Sequence, residues 1–138
     1  MLKWIELEGV GPAPRLRIDL AERLSVLTGD NGLGKTFLLD VAWWALTYHW
    51  PNWPGLARPD SEHPQIHYQW GHHDAPAKWV LDLTNKSWAL QEAIPLDQGV
   101  SVAIYVRVDG GFSVFDGLRT VGRGRPAERL VADHSLHF

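Results

Sequence analysis

The chain contains the sequence Leu24-Ser25-Val26-Leu27-Thr28-Gly29-Asp30-Asn31-Gly32-Leu33-Gly34-Lys35-Thr36. Its first five residues form a short apolar run that ends at a glycine, which is typical of a buried parallel strand. The following residues, from Thr36 to Tyr48, are apolar at nearly every position and predict a helix that is buried on most of its sides. We therefore expect a strand, a glycine-rich loop and a buried helix in direct succession.

The loop matches the P-loop (Walker A) pattern Gly29-x-x-x-x-Gly34-Lys35-Thr36. Glycines at 29, 32 and 34 allow the backbone to wrap its N–H groups around phosphate oxygens, and the helix that follows presents its positive end to the same charge. Lys35 is suited to the β- and γ-phosphates and the Thr36 hydroxyl to Mg²⁺. We expect ATP and Mg²⁺ as ligands, Lys35 as the catalytic residue and Thr36 as the metal ligand. The predicted nucleotide contacts are Gly29, Asp30, Asn31, Gly32, Leu33, Gly34, Lys35, Thr36 and Phe37.

Further elements are expected on both sides of this unit. Two strands, at 2–8 and 15–20, precede the loop, and an antiparallel meander follows the helix with strands at 66–70, 78–83, 87–91, 100–108 and 112–115. Asn85-Lys86 and Asp109-Gly110-Gly111 are the predicted turns. The sequence thus predicts a single ATP-binding lobe over 1–138, divided into a P-loop core (1–50), a β-meander (65–116) and an arginine-containing tail (117–138).

Composition narrows the class of protein. Hydrophobic residues make up 45% and charged residues 21% of the chain, which argues against disorder. The sequence contains no cysteine and no run of 18 apolar residues, so we expect neither a disulfide scaffold nor a membrane partner, and a cytoplasmic location. The net charge of -3 indicates no general attraction to nucleic acid.

Residues 2–48 resemble the N-terminal lobe of ABC-type P-loop ATPases of the chromosome-maintenance, RecF and OLD-like AAA ATPase group. The residues that match are Asn31, Gly32, Gly34, Lys35, Thr36, Leu38, Leu39 and Asp40. The resemblance implies an α/β fold, the N-terminal lobe of a P-loop NTPase with an antiparallel β-subdomain. It also implies ATP hydrolysis, pairing with a second ATPase lobe or a homodimer mate, and work with DNA or a nuclease in DNA repair or antiphage defence.

The sequence departs from this group in several motifs. The glutamine loop, the serine-glycine signature, the Walker B acid pair and the switch histidine are not found. The segment Val106-Arg107-Val108-Asp109 resembles an acid-ended strand, but Arg107 interrupts its apolar run and two glycines follow, so we interpret it as half of a hairpin. We expect a lobe that is incomplete without a second lobe and binds ATP without turnover alone. Alternatives are a nucleotide-sensing interaction scaffold and the ATPase subunit of a transporter.

Weaker patterns lie outside the loop. Histidines at 63, 67, 72 and 73 fit no standard zinc spacing, so a solvated loop is favoured over a metal site. Arginines at 119, 123, 125 and 129 could contact phosphates, but solvated side chains are favoured. Trp43 and Trp44 are expected in the core, and Trp50 and Trp53 at an interface. By the same resemblance, Arg15 is a candidate for reaching the nucleotide.

Overall fold

The chain was analysed as a computed structural model, which describes residues 1–30, 32, 34–51, 57–71, 75–91, 102–117 and 131–134. The helix of this part is α1 (Lys35–Thr47). Its strands are β1 (Leu2–Glu8), β2 (Arg15–Asp19), β3 (Gln65–Trp70), β4 (Ala77–Asp82), β5 (Ser87–Leu90), β6 (Val102–Val106), β7 (Phe112–Asp116) and β8 (Val131–His134).

The larger sheet has five strands in the order β2-β1-β3-β4-β5, and its neighbouring strands all run antiparallel. β1 is paired on both edges, with Ile5 opposite Ile18 of β2 and opposite Tyr68 of β3. Ile66, Tyr68 and Trp70 alternate along β3 on the buried face, as the period of two in a strand requires. This face forms the floor of the hydrophobic core.

Helix α1 lies on that buried face. Leu38, Val41, Trp44 and Ala45 recur at helical spacing and belong to the core cluster that also contains the inward residues of β1 and β3. Trp43 is buried as well and contacts Tyr105 of β6, with the ring centroids 5.9 Å apart. The prediction of a helix buried on most of its sides is therefore confirmed.

The smaller sheet has three strands in the order β6-β7-β8, again antiparallel. The predicted hairpin is confirmed: β6 and β7 are joined by a turn in which the N–H of Arg107 donates to the carbonyl of Gly111 at 2.8 Å. Val102, Ile104 and Val106 point away from the helix and are each more than half exposed. The alternate positions, including Tyr105, face α1, so the more polar side of β6 is the one that packs. β8 lies in the segment predicted to be an arginine-containing tail (117–138).

The α/β prediction is wrong. Among the described strands every pairing is antiparallel, and the described residues hold one helix, whereas a P-loop NTPase lobe needs a parallel sheet with helices. The expected strand over Leu24–Leu27 is also wrong, because these described residues form no strand and Leu24 and Val26 are 75% and 72% exposed. A strand requires a neighbour for its backbone hydrogen bonds, and β1 pairs with β2 and β3, while residues 24–28 pair with none of the described strands.

Among the described residues, no helix combines the length and apolar character needed to cross a bilayer.

Candidate phosphate-binding site

The glycines of the loop before α1 have backbone conformations that favour glycine. Gly29, Gly32 and Gly34 all have positive φ angles, of 143°, 88° and 84°. Residues with a side chain rarely adopt these angles, so glycine at these three positions follows from the loop geometry. Asn31 and Leu33 lie outside the described residues.

Helix α1 starts at the end of this loop, with Gly34 as its N-cap residue in the left-handed conformation. The first helical hydrogen bond runs from the N–H of Leu38 to the carbonyl of Gly34, at 2.9 Å. The N–H groups of Lys35, Thr36 and Phe37 precede that bond, no side chain of the described residues caps the helix, and its first turn holds no acidic residue. The positive end of the helix dipole is therefore not neutralised by the helix itself, which favours an anion at this end.

Lys35 brings a positive charge to the same loop. Its Nζ donates hydrogen bonds to the carbonyl oxygens of Gly29, at 2.7 Å, and Asp30, at 2.6 Å. The ammonium group thus folds back onto the loop instead of extending away from it. Carbonyl oxygens are neutral acceptors, and a phosphate oxygen makes a stronger, charge-assisted hydrogen bond to the same ammonium. The arrangement places a cation, glycine N–H groups and a helix N-terminus within one short segment.

The turn between β1 and β2 supports this segment from below. A Cβ atom at Gly34 would lie 2.4 Å from Cγ of Pro12, and one at Gly11 would lie 2.4 Å from the ring of Phe37. Arg58 in turn donates to the carbonyl of Pro12, at 3.0 Å. The ring of Phe37 therefore serves packing, and its backbone N–H is the group left for the predicted phosphate contact.

Thr36, the predicted metal ligand, is exposed and lies on the wall of a cavity of about 520 Å³. Leu39 of α1 shares that wall, and the opposite wall belongs to the β6–β7 hairpin, from Tyr105 to Asp109. Among the described residues, no group of three or more histidine, aspartate or glutamate side chains could hold a metal ion. Mg²⁺ commonly combines one or two protein ligands with phosphate oxygens and water, and the Thr36 hydroxyl would be one such protein ligand.

Sequence reasoning missed the approach of this hairpin to the loop. Tyr105 Oη donates to Asp40 Oδ1 at 2.6 Å, and this bond joins residues 65 positions apart. The signal in the sequence was the alternation of Ala103, Tyr105 and Arg107 along the predicted strand 100–108, which indicated a strand with one more polar side. The sequence did not indicate that the polar side would pack against α1.

Arg15 does not reach the loop. Its guanidinium pairs with Glu6, and its Nε lies 3.4 Å from Glu8, so its charge is paired with carboxylates of β1. Glu6 is buried and also pairs with Arg17, at 3.3 Å. The hydrogen bond from Arg15 is the main reason that the pKa of Glu6 lies below its ordinary value. The pKa of Arg15 is raised by the same bond.

The remaining candidates do not form a second site in the described part of the chain. Trp50 stacks on Trp44, with centroids 5.0 Å apart, and packs against the core cluster. His67 is partly buried, which lowers its pKa, and its ring bonds to Gln65 at 2.9 Å. Trp53, the histidines at 72 and 73 and the arginines at 119, 123, 125 and 129 lie outside the described residues.

Comparison of the chain with protein-family models, curated proteins and solved structures found no match.

Proposed function

We propose that this protein binds the phosphates of ATP, together with Mg²⁺, at the loop Gly29–Thr36. The observation that carries the proposal is the position of Lys35. Its ammonium lies on the loop at the start of α1, where Gly34, the N-cap residue, offers no side chain to cap the helix. The sequence pattern and its resemblance to ABC-type ATPases supply the choice of ATP. The loop and helix α1 are the two parts that would contact phosphate, and this contact does not depend on whether the sheet is parallel or antiparallel.

Three parts of the loop and helix start have a defined task in this proposal: Lys35, the backbone N–H groups and Thr36. Lys35 would exchange its two carbonyl acceptors for oxygens of the β- and γ-phosphates. The first N–H groups of α1 and of the glycines would donate to the remaining oxygens, because they precede the first helical hydrogen bond. Thr36 would hold the metal ion through its hydroxyl, and bound Mg²⁺ neutralises charge on the phosphates.

We propose further that turnover, if it occurs, depends on a partner. The sequence motifs that orient the attacking water in the resembled group were not found, so the chain alone would bind ATP without rapid hydrolysis. A second ATPase lobe or a homodimer mate would complete the site, and the role would lie in DNA repair or antiphage defence, in the cytoplasm where MgATP is supplied.

A second candidate is a nucleotide-sensing scaffold that binds a partner and does not hydrolyse ATP. The observation that favours it is the outward side of β6, where Val102, Ile104 and Val106 form an exposed apolar row. Exposed apolar rows of this kind are common at protein interfaces. Purified protein that binds ATP but shows no turnover with any partner present would favour this candidate.

The test is calorimetric titration of the purified chain with MgATP, compared with Lys35→Ala. We expect the variant to lose about tenfold or more of the affinity, because a charge-assisted contact to phosphate is removed. Lys3→Ala is the matched control: Lys3 is an exposed lysine at the opposite end of β1 from the turn that supports the loop, and its replacement should leave affinity unchanged. Equal ATP affinity in the parent and Lys35→Ala would refute the proposal.

A further inference from the structure

One face of α1 connects the predicted phosphate site with the β6–β7 hairpin. Thr36, Asp40 and Trp43 follow one another at helical spacings of four and three residues, so they share this face. Tyr105 of β6 contacts two of them: it donates to Asp40 at 2.6 Å and packs against Trp43 at 5.9 Å. The hairpin is therefore held against the helix face that leads to Thr36.

The chain continues from Tyr105 past the first turn of α1. Residues 105–109 form one wall of the cavity of about 520 Å³ whose other wall is Thr36 and Leu39. Arg107 directly follows β6, and its Nη1 donates to Ser113, the residue opposite Tyr105 in the hairpin, so its side chain lies on the same side of the hairpin as Tyr105. An arginine thus lies across a cavity from the residue predicted to hold the metal ion.

The side chain of Arg107 is held in place by the hairpin itself. Only 15% of it is exposed, and its Nη1 donates to Ser113 Oγ at 2.9 Å. Gly111 makes room for it, since a Cβ there would lie 2.7 Å from Nη2. Asp109 Oδ1 lies 3.9 Å from Nε and accepts the N–H of Gly111 at 2.9 Å, so this carboxylate stabilises the turn. The guanidinium is positioned before any ligand arrives, which reduces the entropy lost on binding.

We propose that Arg107 binds the terminal phosphate of the nucleotide and makes the site select a triphosphate over a diphosphate. This inference rests on the proposed function. In P-loop proteins the metal held by the loop hydroxyl bridges the β- and γ-phosphates, so the γ-phosphate lies on the side of Thr36. The cavity opens on that side, and Arg107 lines its far wall. A guanidinium binds phosphate through paired N–H groups, and the terminal phosphate is the part that ADP lacks.

Affinities for MgATP and MgADP test the inference in four proteins: the parent, Arg107→Ala, Arg107→Lys and Ser113→Ala. We expect Arg107→Ala to lose between about tenfold and about a hundredfold of ATP affinity while ADP affinity stays within about twofold. Arg107→Lys keeps the charge but loses the paired geometry, so its ATP affinity should be intermediate. Ser113→Ala removes a group that positions the guanidinium without removing the cation, so its ATP affinity should fall by less than that of Arg107→Ala while its ADP affinity stays within about twofold.

The outcomes separate this inference from the proposed function. If the parent binds neither nucleotide, the proposed function fails and the role of Arg107 falls with it. If Lys35→Ala loses both nucleotides while Arg107→Ala keeps full ATP affinity, the function stands and the inference is wrong. An equal loss of ATP and ADP in Arg107→Ala would also overturn it, because a general loss of structure has that effect. Should Arg107→Ala not fold, the ATP-to-ADP affinity ratio of Arg107→Lys decides, and an unchanged ratio contradicts the inference.

Discussion

Replacement of Gly34 by alanine isolates the contact between the loop and the turn below it. Gly34 has a φ of 84°, and a Cβ there would lie 2.4 Å from Cγ of Pro12. Gly32 has nearly the same φ, 88°, but a Cβ there would meet no atom of the described residues within 4 Å. Gly34→Ala and Gly32→Ala therefore share the backbone strain and differ in the steric clash.

The magnitude follows from these two terms. Left-handed backbone costs alanine about 1–2 kcal/mol, and this term applies to both variants. Forcing a methyl group into a packed contact costs about 1–3 kcal/mol more, and this second term applies to Gly34→Ala alone. The reduced entropy of the unfolded chain, which favours alanine, is common to both and cancels in the difference. We expect Gly34→Ala to be less stable than Gly32→Ala by about 1–3 kcal/mol.

Urea unfolding followed by tryptophan fluorescence measures this difference. A loss of about 1–3 kcal/mol lowers the midpoint by roughly 1 M, since small proteins have slopes of about 1–3 kcal/mol per molar urea. The tryptophans of the core, including Trp44, report the loss of packing around α1. Equal midpoints for the two variants, or a lower midpoint for Gly32→Ala, would show that Pro12 does not restrict Gly34 and that the loop is not supported as described.

Three further predictions concern the metal, the buried carboxylate and turnover. Thr36→Ala should weaken ATP binding more in the presence of Mg²⁺ than in EDTA, because its hydroxyl is a predicted metal ligand; an equal loss under both conditions would assign Thr36 another role. Glu6→Gln should destabilise the protein by about 1 kcal/mol at pH 7, because Glu6 pairs with Arg15 and Arg17, whose heads are partly exposed. The pKa of Glu6 is lowered in the folded state, so this stabilisation is present above its ordinary pKa of 4.5 and is lost as the pH falls through the folded-state value. The stability difference between parent and variant should therefore shrink from pH 7 to pH 3, and a constant difference would contradict the pairing. The chain alone at saturating MgATP should release phosphate more slowly than about one per second, the low end of ordinary enzyme rates, and faster release abolished by Lys35→Ala would contradict the need for a partner.

Local features of the chain were predictable because they depend on residues close together in sequence. The positive φ angles at Gly29, Gly32 and Gly34 follow from the loop pattern, and helix α1 follows from its apolar residues. The turn at Asp109-Gly110-Gly111 was also predictable, since Gly110 has a φ of 85° and the carboxylate of Asp109 bonds within the turn.

Sheet pairing was decided by contacts between distant residues. Leu24–Thr28 has the composition of a buried strand, but a strand exists only where a neighbour accepts its backbone hydrogen bonds, and none of the described strands pairs with these residues. No pattern within residues 24–28 indicates whether a strand elsewhere in the fold pairs with them. The parallel sheet was therefore expected from a local pattern and replaced by antiparallel partners from elsewhere in the chain.

The candidate site also has one part that local sequence predicted and one part that only the tertiary structure placed. Residues 29–37 predict a phosphate-binding loop from their spacing alone, because glycine conformation and a helix N-terminus are local properties. The position of Arg107 opposite Thr36 required the folded chain, since it depends on Tyr105 meeting Asp40 across 65 positions. Alternation along β6 distinguishes its two sides, but which side packs depends on the shape and polarity of the helix it meets. Tertiary packing therefore decides which side of β6 is buried, because the free energy of burial depends on both of the surfaces that meet.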